Sequence, residues 1–346
     1  MRTKKMEGQQ NMKKQFKISI CIPTYNRAKY LKEAIESILI QRNPNIEIVI
    51  SDNASTDNTK EIVDCLQKKN ANITYFRWDE NMGPDKNFLK AVEIASGEYC
   101  WYLGSDDTLK AGSISKVYEE INFGYDIVLC NRTICNLKMK PITNCFWLEP
   151  EIGDTTFNLI NNQAIKEYFD TARSIGALFS YLSSLIFRRD RWNNIDFNKT
   201  FVNTGYSHVY ILLSILNTKQ CSLRYIEQPL VNARFGNDSF LQNGPDRVVN
   251  RVLIDFNGYI LFAEHFFSNN PILKKAFCQI LIYEYPWYRI LRIKLATNNP
   301  DTWNLVKSKL LSLNFNARLL NVFDYVILPK NFINAIVKIK VFIIGY

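Results

Sequence analysis

Between residues 16 and 104 the chain alternates short apolar runs with amphipathic stretches, joined by brief polar connections. Residues 16–23 (FKISICIP) predict a buried strand stopped by Pro23. Residues 46–52 (IEIVISD), 73–78 (ITYFRW) and 98–104 (EYCWYLG) predict three more. Helices are expected between them. In 28–41, Leu31, Ile35, Ile38 and Leu39 share one stripe at helical spacing. Residues 58–69 open behind a Ser/Thr/Asp cluster, and 85–96 are expected to close on Gly97 as a left-handed C-cap. Strands alternating with helices imply an α/β fold, with a mostly parallel sheet flanked by helices. Residues 126–240 begin with another strand (DIVLCN) and include FSYLSSLIFRR (179–189) and GYSHVYILLSIL (205–216), the latter a buried helix by length and pattern. From about 246 the pattern turns helical and basic.

Ligands of open α/β sheets gather beyond the carboxyl ends of the strands. Three polar clusters fall there: PTYNR (23–27), SDNASTD (51–57) and GSDD (104–107). The first lacks the glycines of a dinucleotide-binding turn, and no G-x-x-x-x-G-K-[ST] phosphate loop occurs anywhere. Phosphate would need another counter-charge. Asp106 and Asp107, adjacent and alike in sign, are hard oxygen ligands for Mg²⁺ or Mn²⁺, although an Asp-Asp pair is also common in exposed turns.

Net charge is +10, and its placement matters more than its size. Residues 271–346 hold eleven Lys/Arg against three acids, and residues 1–17 hold six against one, leaving a slightly acidic middle. That distribution disfavours a nucleic-acid channel and suits an anionic membrane surface, while a solvated lysine-rich face accounts for it equally well. Eight cysteines without C-x-x-C spacing read as reduced thiols, hence a cytoplasmic setting. No run of 18 apolar residues occurs, so no membrane-crossing helix is expected.

The polar clusters, with Asn81-Met82-Gly83 and Ala95-Ser96-Gly97-Glu98-Tyr99, stand in the order and spacing of the family-2 glycosyltransferases, and residues 16–125 resemble that family closely. The resemblance implies the GT-A nucleotide-sugar-binding fold. ENMGPDKNFL, SYLSSLIF, RW..IDF and NDSF are further similar to abequosyltransferase-like enzymes of O-antigen synthesis. These imply transfer of a 3,6-dideoxyhexose from a CDP-sugar to a lipid-linked oligosaccharide at the inner face of the bacterial plasma membrane.

Carried over by position, the resemblance places Pro23, Thr24, Tyr25, Asn26 and Asp52 around the nucleotide, Asp106 on ribose or metal, and Asp107 on the metal. Lys86 and Arg234 would face the diphosphate, Arg234 from a loop shared with Asn237, Asp238 and Ser239. Thr24, Asn26, Ser55 and Asp57 could equally cap helices. Two departures stand out: Gly104 replaces a frequent acid, and Ser207-His208 replaces the pair that carries the family's base. An imidazole can take a proton at neutral pH, so His208 is read as base, as a metal or diphosphate contact, or as a structural histidine.

The expected organisation is a basic N-terminus (1–15), a GT-A domain (16–240, with nucleotide-binding 16–125 and acceptor-binding 126–240), and a helical C-terminal region (241–346) touching the membrane surface. Its tail, INAIVKIKVFIIGY, mixes apolar and basic residues. Two rivals stay open: a nucleotidyltransferase acting on sugar phosphates, and a non-catalytic membrane-glycan-binding protein.

Overall fold

The computed structural model describes residues 18–237, 247–297 and 299–326. The basic N-terminus, Asp238, Ser239 and the 331–346 tail therefore lie outside the described residues. The strands are β1 (Ile18–Thr24), β2 (Ile46–Asp52), β3 (Ile73–Arg77), β4 (Tyr99–Tyr102), β5 (Thr108–Leu109), β6 (Ile127–Cys135), β7 (Pro141–Cys145), β8 (Thr155–Leu159), β9 (Leu185–Arg188) and β10 (Cys221–Arg234). The helices are α1 (Ala28–Leu39), α2 (Thr59–Gln67), α3 (Pro84–Glu93), α4 (Ser113–Ile121), α5 (Asn162–Asp170), α6 (Arg189–Asn193), α7 (Ser207–Asn217), α8 (Arg247–Phe267), α9 (Pro271–Glu284), α10 (Trp287–Ala296), α11 (Pro300–Ser312) and α12 (Ala317–Asp324).

One sheet runs β3-β2-β1-β4-β9-β6-β10-β5, with β7 beside β6 and β8 beside β10. The first four strands in this order are parallel, as the alternating pattern predicts. Beyond β4 the sheet is mixed. β9 runs antiparallel to both β4 and β6, and β10 is parallel to β6 but antiparallel to β5 and β8. The sequence run 179–189 thus becomes a short 3₁₀ turn followed by β9.

β1 and β2 are buried along their whole length, which explains their continuous apolar runs. A core of Ile, Leu and Val fills the side under α1 and α4, whereas an aromatic-rich core lies under α3, α5 and α7–α9. Gly97 is corrected: α3 ends at Glu93, and Gly97 is not among the residues with positive φ. Gly97 instead donates its N–H to Ser19 Oγ (2.8 Å) and accepts from Arg189 Nε (2.6 Å), tying the start of β4 to β1 and α6.

All eight cysteines are free thiols. Among the described residues, no helix is long and apolar enough to cross a membrane.

Candidate functional site

The loops after β1, β2 and β4 are tied into one polar edge. Asn26 adopts a left-handed conformation (φ 52°), which asparagine tolerates. Its N–H donates to Ser55 Oγ (2.9 Å) and its side-chain oxygen accepts from Thr56 N (2.7 Å). Asp57 accepts from Ala28 N at the start of α1 and from the N–H and hydroxyl of Thr59 at the start of α2. The second polar cluster thereby caps both helices. Asn87 of α3 donates to the Ser51 and Thr24 carbonyls (2.9 and 3.3 Å), fastening β1 to β2.

Asp52 is fully buried and accepts from Ser55 N, Ser55 Oγ and Tyr75 Oη at 2.9, 2.5 and 2.7 Å, with Arg77 Nε 3.6 Å away. An ionised carboxylate offers about four acceptor positions, so about one remains. Thr24, 3% exposed, carries a buried hydroxyl with no partner. Pro23 is buried in β1 beside Ser51 of β2, and Tyr25 stands at the mouth, 42% exposed. Lys86 is exposed on the first turn of α3 and makes no ion pair among the described residues.

The acidic pair sits deeper than an exposed turn would. Asp107 Oδ2 accepts from Tyr181 Oη (2.5 Å) and Ser183 Oγ (2.6 Å), while Oδ1 accepts from Arg234 N (3.1 Å). Burial raises its pKa, and the Ser183 and Tyr181 hydroxyls and the Arg132 charge partly oppose the rise. The Arg132 guanidinium lies 3.9 Å from the Tyr181 ring. Asp106 accepts from Asn237 Nδ2 (2.9 Å), with Arg27 Nη1 3.7 Å away. Burial and the neighbouring Asp107 charge push Asp106 up to about 6 despite Arg27.

Gly104 explains the missing acid. A Cβ there would lie 3.0 Å from Asp107 Oδ2 and 3.3 Å from Ser183 Oγ, tighter than a committed carboxylate can yield easily. The bare backbone instead donates from Gly104 N to Ser183 Oγ (2.8 Å).

Among the described residues no cluster of three or more His, Cys, Asp or Glu side chains gathers. Two acids suit Mg²⁺-type binding, in which one or two carboxylates share the ion with substrate phosphates and water. Burial first, and the Asp107 charge second, disfavour the ionised form of Asp106.

Arg234 is corrected in its placement. It is the last residue of β10, not part of the following loop, and is buried. Its guanidinium donates to Glu33 Oε2 (2.6 Å), the Leu137 carbonyl (2.5 Å) and the Asp106 carbonyl (3.0 Å), lying 4.7 Å over Tyr30. Arg27 brings a cation to this edge, its Nη2 donating to the Asn237 carbonyl and its Nη1 lying 3.7 Å from Asp106.

His208 is the second residue of α7 and 1% exposed. Its Nε2 lies 3.2 Å from the Phe179 carbonyl, so Nε2 carries the proton and Nδ1 holds a lone pair, buried and without a partner. Phe88, Tyr102 and Tyr206 rings surround it. Burial depresses its pKa to about 3, so the ring is neutral at physiological pH and a weak proton acceptor. The start of α7 is held from α3: Asp85 accepts from Gly205 N and Ser207 N at 2.9 and 2.8 Å. His265, the other histidine, packs edge-on against Phe201 and Phe266.

Several working residues carry no role in the sequence reading: Arg27, Asn87, Tyr181, Ser183 and Asn237. All five stand inside the quoted motifs, Arg27 in PTYNR, Asn87 in ENMGPDKNFL, Tyr181 and Ser183 in SYLSSLIF and Asn237 in NDSF, and hydroxyls interrupting the apolar run 178–187 are a further signal.

Comparison with known proteins shows the family and the fold. The sequence model of glycosyl transferase family 2 matches residues 19–184. The chain is 42% identical over 309 residues to the abequosyltransferase RfbV of Salmonella typhimurium, covering 88% of this chain and 91% of that protein. It is 27% identical to the GalNAc(5)-diNAcBac-PP-undecaprenol β-1,3-glucosyltransferase of Campylobacter jejuni, covering 94% and 98%. Among solved structures, Staphylococcus aureus TarS 1–349 in complex with UDP-GlcNAc superposes with a TM-score of 0.60 at 18% identity, covering 88% and 82%. The mannosyltransferase PcManGT of Pyrobaculum calidifontis, in complex with GDP-Man and Mn²⁺, gives 0.53 at 16%, covering 96% and 81%. These two show the fold, which is GT-A-like. The chain belongs to glycosyl transferase family 2 and is a glycosyltransferase.

Proposed function

We propose that the enzyme transfers a 3,6-dideoxyhexose, abequose or a close epimer, from a CDP donor to a lipid-linked glycan during O-antigen or related surface-polysaccharide assembly. The observation that carries the reading is identity to the Salmonella abequosyltransferase along nearly the whole of both chains. Family membership sets aside the nucleotidyltransferase and the binding protein.

Tyr25 stacks on the cytosine, with Pro23 and Asn26 shaping the loop beneath it. The unpartnered Thr24 hydroxyl and the remaining lone pair of Asp52 meet the base edge. Asp106 and Asp107 would hold a divalent cation, Mg²⁺ or Mn²⁺, which would supply positive charge to the departing diphosphate. Arg27 adds positive charge from the protein, with Lys86 on the outer rim. Arg234 acts indirectly, positioning Asp106 and Asp107 through its backbone and guanidinium bonds. His208 accepts a hydrogen bond from a substrate hydroxyl through Nδ1.

A lipid-linked acceptor places the enzyme at the inner membrane face. Support comes from the basic C-terminal region and from the tip of the β6–β7 hairpin, where Leu137, Lys138, Lys140 and Ile142 are exposed and no acid lies between 136 and 142. Exposed Phe235 lies beside this tip, next to Gly236, whose Cα region meets Leu137.

Purified full-length protein with Mn²⁺, lipid-linked acceptor and CDP-, UDP- or GDP-sugars tests the reading. Nucleotide release and a product mass increased by a dideoxyhexose are expected with CDP-abequose. Transfer from a UDP- or GDP-hexose in its place overturns the donor assignment.

A further inference from the structure

The β6–β7 hairpin ends in a tight turn whose backbone is satisfied from within. Asn136 N donates to the Lys140 carbonyl (3.0 Å) and Met139 N to the Asn136 carbonyl (2.9 Å), while Asn136 Oδ1 accepts from Lys138 N (2.9 Å) and Lys140 N (3.1 Å). The Leu137 carbonyl accepts from Arg234 Nη1. What the turn presents outward is apolar and basic. Leu137 is 53% exposed and Ile142 55%, and Phe235, whose N–H donates to the Cys135 carbonyl, is 69% exposed beside them. Lys138 and Lys140 are exposed between them, with no acid from 136 to 142. Glu33, which Arg234 brings to the same edge, is engaged by that guanidinium at 2.6 Å. The guanidinium also donates to the Asp106 carbonyl, so one side chain joins the tip to the acidic pair.

We propose that this tip is the element that enters an anionic lipid surface, Leu137, Ile142 and Phe235 seating at the boundary of headgroups and acyl chains while Lys138 and Lys140 meet the headgroup charge. The inference rests on the membrane placement proposed above and deepens it by naming the surface responsible. Apolar side chains interleaved with lysines suit that boundary. A turn whose N–H groups are paired internally enters it without stranding backbone donors. Docked this way, the strand-end edge with Asp106 faces the membrane in which a lipid-linked acceptor is anchored.

The test is co-sedimentation of the full-length protein with vesicles of phosphatidylcholine, alone or mixed equally with phosphatidylglycerol. The paired variants are Leu137→Ser with Ile142→Ser, and Lys138→Glu with Lys140→Glu; Phe123→Ser, ahead of the opposite end of β6, is an exposed control. Wild type should bind the mixed vesicles more tightly than the neutral ones. A lysine near an anionic surface contributes about fivefold in affinity, so reversing both should weaken binding more than about tenfold. Losing two aliphatic side chains from the boundary should also cost at least about tenfold, and Phe123→Ser nothing. Every variant should melt as wild type does, since substitutions at exposed positions are close to neutral. Paired variants that bind mixed vesicles as wild type does overturn the tip assignment and leave membrane placement to the C-terminal region. Equal binding of wild type to both vesicles overturns the contact between lysines and headgroups. Wild type that binds neither overturns the membrane placement and the inference with it. A lower melting temperature or a changed mass in solution for Leu137→Ser with Ile142→Ser overturns the assignment too, because another segment of this chain or a second copy would then cover the tip.

Discussion

The two sides of the site solve opposite problems. At the strand-end edge, three carboxylates are each held by several donors: Asp52 by three, Asp107 by three, Asp57 by three. At the start of α7, one imidazole sits among aromatic rings with a single hydrogen bond. Burial perturbs both, raising Asp106 and Asp107 and lowering His208, because in each case it disfavours the charged form. The first side is built to meet charge and the second to exclude it.

The largest effect should come from removing charge on the ionic side. Asp107→Asn keeps the shape but weakens the grip on a cation and leaves Tyr181 and Ser183 donating to a neutral group. Nucleotide release is expected to fall at least about 10³-fold, the scale seen when electrostatic stabilisation of a developing charge is lost. If His208→Phe costs as much in the same assay, the proposed division of labour fails.

The second prediction concerns what holds the apolar side together. Asp255 of α8 is buried and accepts from Tyr206 Oη, Tyr285 Oη and Arg251, so one carboxylate joins α7's entry to α8 and α9. Asp255→Ala removes the acceptor shared by Arg251 and two buried hydroxyls, and urea unfolding should show a loss of about 3–5 kcal/mol. A loss below about 1 kcal/mol would mean that the cluster is solvated and does not organise the entry to α7.

This contrast also governs what could be read from sequence. The parallel half of the sheet was legible because buried strands and amphipathic helices have different periods, and the position of the loop clusters at strand ends was legible for the same reason, although Asn, Asp and Ser there also cap helices, as Asp57 does. The turn to a mixed sheet at β9 was not, since its four residues, LIFR, carry no direction in their pattern. Nor was the small pocket whose wall is drawn from α3, the 180–183 segment, α7 and α8. Gly258 is its one overlooked sequence trace. Inside a 21-residue helix, a Cβ at Gly258 would lie 2.9 Å from the Tyr206 ring, so the glycine lets α8 close over the entry to α7.

The third prediction separates two uses of His208. With Nε2 donating to Phe179 and a pKa near 3, the ring serves as a hydrogen-bond acceptor better than as a base. His208→Gln, which retains an acceptor, should therefore keep activity within about tenfold. His208→Asp should lose more, about 10–100-fold, because an unpaired carboxylate is costly among these rings. If His208→Asp is the more active variant, proton abstraction at this position matters more than neutrality.

The smallest effect is a pH dependence on the ionic side. Asp106, raised to about 6, is more protonated in the fold than in an unfolded chain near 3.9. Its contribution therefore favours the folded state below about pH 4 and is lost as pH rises through 6. A divalent cation reverses the sign by stabilising the ionised form. The melting-temperature increase on adding Mn²⁺ should accordingly be larger at pH 7.5 than at pH 5, and Asp106→Asn should flatten that difference. An increase independent of pH, or one that survives Asp106→Asn unchanged, would place the cation elsewhere and leave the acidic pair as a hydrogen-bonded anchor for Tyr181 and Ser183.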